Sequence, residues 1–271
     1  MTLNVFWRPL PVLTLTVRQF LGGKSVRVVM ALAFIPALFA GIYLLNTEAT
    51  TPRGFLIDLF RDILVAPTLL PITVLILATG ALGHEVEDRT LPYLTLKPIA
   101  RLRLVVEKLL GILVVALPTI LAGLAITCLI AAQGQDDYTR RAERLAEAGR
   151  VVPDLSVLPV LWAMLGAAAA GTVAFAAIFL AVSLVVPRAL LAGIFYAFAW
   201  ESILGRFLPG IRLVSVRHYV QSIFVALLDD PDVSIPDTDP TSLQDSLITL
   251  GVASLVAILL ATWRLRRMNL E

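Results

Sequence analysis

Two short stretches carry residue types that could do chemistry, and both fail on spacing. His84-Glu85-Val86-Glu87-Asp88 opens like a zinc-protease helix, in which histidines four residues apart grip the metal and a glutamate activates water. Asp88 stands where the second histidine must be. Only one other histidine exists, His218, and the topology derived below puts the two on opposite membrane faces, so a paired-histidine zinc site is implausible. Gly23-Lys24-Ser25 ends as a phosphate-binding loop does, but the first glycine of that motif would fall at Arg18 and no strand pattern precedes it. Any energy from ATP must therefore come from another subunit.

What remains is a charged island, residues 84–108, set between long apolar segments. Of the 271 residues, 58 % are hydrophobic and 15 % charged, and mean hydropathy is +0.87, against roughly 25 % charged residues in soluble domains. Runs 28–47, 63–83, 109–135, 155–187 and 246–263 contain no Asp, Glu, Lys or Arg, and a helix needs about 20 such residues to cross the hydrocarbon. A sixth run, 189–208, reaches span length by including Glu201 and Arg206. The expectation is an all-α integral membrane protein, one domain over 1–271 with six transmembrane helices. The first run is too long for a signal-peptide core and lacks a small-residue cleavage site, so it reads as a retained anchor.

Charge sets the orientation. With the amino terminus in the cytoplasm, thirteen of the 22 basic residues fall inside, among them Arg8, Arg18, Lys24, Arg27, Arg101, Lys108, Arg188 and the Arg264, Arg266, Arg267 cluster, against five acids. That is the bias the positive-inside rule favours, and it predicts both termini in the cytoplasm. Without the 189–208 span the Arg264 cluster would face outward.

Residues 9–24 mix Leu10, Val12, Leu13, Leu15, Val17, Phe20 and Leu21 with Arg18 and Lys24, which suits a helix lying in the membrane interface against lipid. Gly22-Gly23 then offers a bend. Pro67, Pro71 and Pro118 predict kinks in the second and third spans. The 136–154 segment alternates Arg and Glu as a solvated outer loop does. Gly166 to Gly171 allows a second helix close approach. Residues 205–228 are too charged to span and too apolar for a loop, which predicts an outer re-entrant helical region between spans five and six. Cys128, the single cysteine, lies in an apolar run and allows no intrachain disulfide.

The island resembles the cytoplasmic loop of ABC type-2 exporter permeases: acids, then Gly-Thr-Leu, a leucine-rich stretch, Pro-[Ile/Val]-Ser-Arg and a lysine opening the third span. Glu85, Glu87, Asp88, Thr90, Leu91, Leu94, Leu96, Pro98, Ile99, Arg101 and Lys108 fit that order. Arg89 replaces the usual glycine, Ala100 the frequent serine, and Pro92 is unusual, which touches loop geometry rather than membership. The resemblance implies a permease subunit in a prokaryotic plasma (inner) membrane, paired with a second permease, the same or a related chain. Two copies of an ABC ATPase subunit would carry ATP and Mg, and this chain would bind no cofactor and no nucleic acid. Coupling would run through Glu85, Glu87, Asp88, Thr90, Arg101 and Lys108. The family lines its path with the second and fifth spans, and Glu201, an intramembrane carboxylate beside Trp200, becomes a candidate path or gate residue. The rival readings are an intramembrane enzyme and a motor-free channel or scaffold, which would need no such loop.

Overall fold

The structure, a computed structural model, describes residues 11–45, 50–83, 100–135, 139, 156–186, 189–196, 215–231, 233–235 and 239–267. Among them every regular element is helical. In chain order these are α1 (Pro11–Gly22), α2 (Lys24–Ala33), α3 (Ile35–Tyr43), α4 (Pro52–Asp58), α5 (Leu70–Ala78), α6 (Arg101–Ala132), α7 (Leu158–Val185), α8 (Ala189–Phe195), α9 (Val216–Leu228) and α10 (Leu243–Arg267). Wider π-helical turns at Leu59–Ile63, Val65–Leu69 and Thr79–Gly83 join α4 to α5 and extend α5.

Five helices or helix trains are long and apolar enough to cross a membrane: Lys24–Tyr43, Pro52–Leu82, Arg101–Ala132, Leu158–Val185 and Leu243–Arg267. They correspond to the five uncharged runs, and the chain is an all-helical protein of multi-pass character. Of the expected sixth span, only α8 and Tyr196 lie among the described residues. The 136–154 loop lies outside them except for Thr139.

The trains differ in how they are packed. In the apolar windows of Pro52–Leu82 and Leu158–Val185, 72 % and 67 % of residues are buried, against 28 % in both Lys24–Tyr43 and Leu243–Arg267. The second and fourth trains are therefore the centre of the bundle, and the first and last present Leu38, Ile42, Leu255 and Leu259 outward. An outer surface this apolar suits lipid as the solvent. Trp162 and Trp263 are both exposed. Arg264, next to Trp263, donates to the Leu184 carbonyl at 3.4 Å, and Leu184 lies about 33 Å from Trp162 along α7 at roughly 1.5 Å per residue. That is about one hydrocarbon thickness, the separation expected of aromatic residues at the two interfaces of a membrane.

The second train corrects the expected start at 63. It begins at Pro52, where Thr51 caps the helix by accepting from the Gly54 amide at 3.0 Å. Arg53, Asp58, Arg61 and Asp62 then lie inside the helix, because each is paired. Arg53 donates to Asp230 at 2.7 Å and to Ser156, and Arg61 meets Asp62 at 2.7 Å and Asp58 at 3.6 Å. A charge does not end a helix whose neighbours satisfy it.

The prolines mark irregular helix in the second train and not in the third. The Leu64 and Leu69 amides bond to the Leu59 and Leu64 carbonyls, five residues back, so the turn is widened by one residue around Pro67. Pro118, in contrast, sits inside the continuous α6. The first train breaks at Phe34, ahead of Pro36. There Gly123 of α6 comes so close to Ala33 that a Cβ would overlap the Ala33 carbonyl oxygen.

Helix α9, with 13 residues, is about 20 Å long and too short to span. It runs antiparallel to α7: Val220 fills the space over Gly171, and Leu227 that over Gly166. Its polar side chains are turned inward and used. Gln221 donates to the Arg61 carbonyl at 2.7 Å, Ser222 accepts from the Thr241 amide at 3.1 Å, and His218 Nε2 lies 3.0 Å from Thr241 Oγ1. The other arm of the expected re-entrant region lies outside the described residues.

Candidate coupling junction

The charged island follows the Thr79–Gly83 turns in sequence, and its described part, from residue 100 onward, runs into α6. Glu85, Glu87, Asp88 and Thr90, and also Glu201, lie outside the described residues. Arg101 and Lys108 lie within them, and both are on α6. The segment expected as loop to 108 is therefore helical from Arg101 onward. As at Pro52, charges in its first two turns have partners, here Arg103, Glu107 and Lys108.

Arg101 is the first residue of α6 and half-buried. Lys108, two turns on, is fully buried, and its ammonium donates to the Ala81 carbonyl at 2.8 Å. Ala81 lies in the π-helical stretch Thr79–Gly83. A helix end leaves carbonyls without intrahelical partners, and a buried ammonium is a strong donor for one of them. Lys108 thus ties the second turn of α6 to the last described turns of the second train.

Glu107, adjacent in sequence, points to a different partner. Its Oε2 accepts from the Val12 amide at 2.9 Å and the Leu13 amide at 3.2 Å, and its Oε1 accepts from Arg103 Nε at 2.7 Å. The carboxylate is almost wholly buried, while the Arg103 side chain is 53 % exposed. The described part of α1 begins at Pro11, and the first amides of a helix need an acceptor from outside it. A carboxylate from α6 fills that role across 95 residues of sequence and also favours the positive end of the helix dipole.

Packing reinforces the contact. Val12, Thr16 and Phe20, four residues apart, form the buried stripe of α1. The Thr16 methyl sits 2.9 Å from where a Gly111 Cβ would be, and Phe20 lies 3.5 Å from the same point on Gly80. Leu15 and Leu21 remain exposed on the opposite side. The α1 helix is thus seated on α6 and on the end of the second train, with leucines free to meet an apolar medium.

Sequence reading missed Glu107 as a functional position. One signal pointed to it: the Arg103/Glu107 spacing of one helical turn. At the other end of the second train, Arg53 and Arg61 hold Asp230 and the Ser234 carbonyl, tying that end to the segment after α9. Each end of the train therefore has its own polar fastening. Compared with known proteins, the chain matches no family model and no curated protein.

Proposed function

We propose that this chain is the permease subunit of an ATP-driven exporter of the ABC type-2 kind, forming the membrane path with a second permease and receiving its power from two copies of a separate ATPase. In this reading the chain sits in a prokaryotic plasma membrane with both termini in the cytoplasm, 189–208 completes six spans, α1 lies in the cytoplasmic interface, and α9 is the second arm of an outer re-entrant region. The chain needs no nucleotide site and no cofactor of its own.

The observation that carries the reading is the fastening at the roots of the charged island. A loop that only ended two spans in water would need no buried ammonium between its ends. A loop that takes force from a soluble partner needs roots that move together, and Lys108 on Ala81 supplies that. Glu85, Glu87, Asp88, Thr90 and Arg101 are then the groups that meet the ATPase, through charge-assisted contacts. Glu201 remains the candidate path or gate residue on the fifth span.

The test is charge reversal in the loop. Glu87→Arg with Asp88→Arg is expected to insert at the wild-type level and to lose most of the ATPase that co-purifies with the wild-type chain, about tenfold or more if the pair supplies even 1.4 kcal/mol. Wild-type retention of the ATPase would remove the loop from the coupling role.

A further inference from the structure

Among the described residues, helix α1 rests on the third span and on the end of the second. On the third span it has the Glu107 carboxylate under its first amides and Thr16 seated over Gly111. Toward the first span it has Gly22 and Gly23, of which Gly22 has open space around it and Gly23 is non-helical, its amide bonding back to the Phe20 carbonyl at 3.0 Å. Leu15 and Leu21 face outward, and the seat of α1 is made by buried Val12 and Phe20 together with the polar clasp and the Thr16 knob.

Resting on the permease reading above, we propose that Glu107 is a positioning residue that makes α1 and the cytoplasmic end of the third span one mechanical unit, with Gly22-Gly23 as the joint to the first span. Force entering at the island root then reaches α1 directly through α6. The first span follows only through the glycine joint. The carboxylate is suited to the task because it accepts three hydrogen bonds at a nearly dry site, where such bonds are strong and their loss is costly. Glutamine keeps the length but offers one acceptor oxygen and no charge for Arg103 or the helix dipole.

Two measurements on the full chain, both in a Cys128→Ala background, test this. In native membranes, Thr16→Cys with Gly111→Cys is expected to form a disulfide quickly, and adding Glu107→Ala slows its formation by about tenfold, equivalent to roughly 1.4 kcal/mol of seating, with Glu107→Gln between. Equal rates in all three would overturn the clasp. In the complex with its ATPase, spin labels at Leu15→Cys and Leu110→Cys are expected to keep one distance with and without a non-hydrolysable ATP analogue, while labels at Leu15→Cys and Leu38→Cys change distance. Adding Glu107→Ala makes the first distance nucleotide-dependent. A wild-type first distance that moves with nucleotide while the second stays fixed overturns the unit. Nucleotide changing neither pair contradicts the permease reading and the travelling unit with it, and the disulfide rates then decide the clasp alone.

Discussion

Lys108→Glu is expected to leave almost no folded chain in the membrane. Residue 108 is fully buried and faces the Ala81 carbonyl. A carboxylate there would meet an acceptor instead of supplying a donor, next to Glu107, which is itself buried. An uncompensated buried charge costs several kcal/mol, and total stability is about 5–15 kcal/mol. Lys108→Met keeps the stem and its packing and removes the donor, a loss of about 1–3 kcal/mol. The check is the yield of monodisperse protein after mild detergent extraction, with the melting temperature of whatever is recovered. Near-normal yield and melting of Lys108→Glu would mean that the roots of the island are not held by this contact.

The second large effect is expected at Gly123, far from the junction. Adding a single methyl there puts a Cβ onto the Ala33 carbonyl oxygen and 2.9 Å from its carbonyl carbon. Backbone cannot swing aside as a side chain can, so the first and third spans must separate where the first span breaks at Phe34. The cost of Gly123→Ala is about 3 kcal/mol, the upper part of the range for overpacking, or roughly 6 °C or more in melting temperature. Gly251→Ala is the control, because nothing lies within 4 Å of the added Cβ, and its effect should stay within about 0.5 kcal/mol. Equal melting temperatures for the two variants would contradict the close approach.

The five trains were legible because hydrocarbon imposes a length on uncharged sequence, and that length survives without any knowledge of packing. Their ends were less legible. Arg53, Asp58, Arg61 and Asp62 look like the end of a span until Asp230, Ser156 and the Ser234 carbonyl are seen beside them, and such partners lie more than a hundred residues away. Pro67 and Pro71 announced irregular helix but not its type, since a widened turn depends on which carbonyl each amide reaches. Gly123 carries no signal of its own in the sequence, because its neighbour at Ala33 is set by the crossing of two helices.

The junction divides in the same way. Lys108 was legible as the lysine opening the third span, while its burial and its bond to Ala81 came only from the fold. Glu107 was passed over, as a carboxylate next to a lysine is usually a solvated charge, and only its one-turn spacing from Arg103 hinted otherwise. The charges on which the family resemblance rests, Glu85 to Thr90, act in this account on a partner rather than on the chain itself, so their role is decided by what binds them.

The most direct measurement is therefore purification of the full-length chain from its native cell in mild detergent, followed by mass spectrometry of what stays bound. An ATPase subunit in equal number to the permease chains is the expected result. A chain that purifies without an ATPase would contradict the exporter reading and return the channel and enzyme readings to first place.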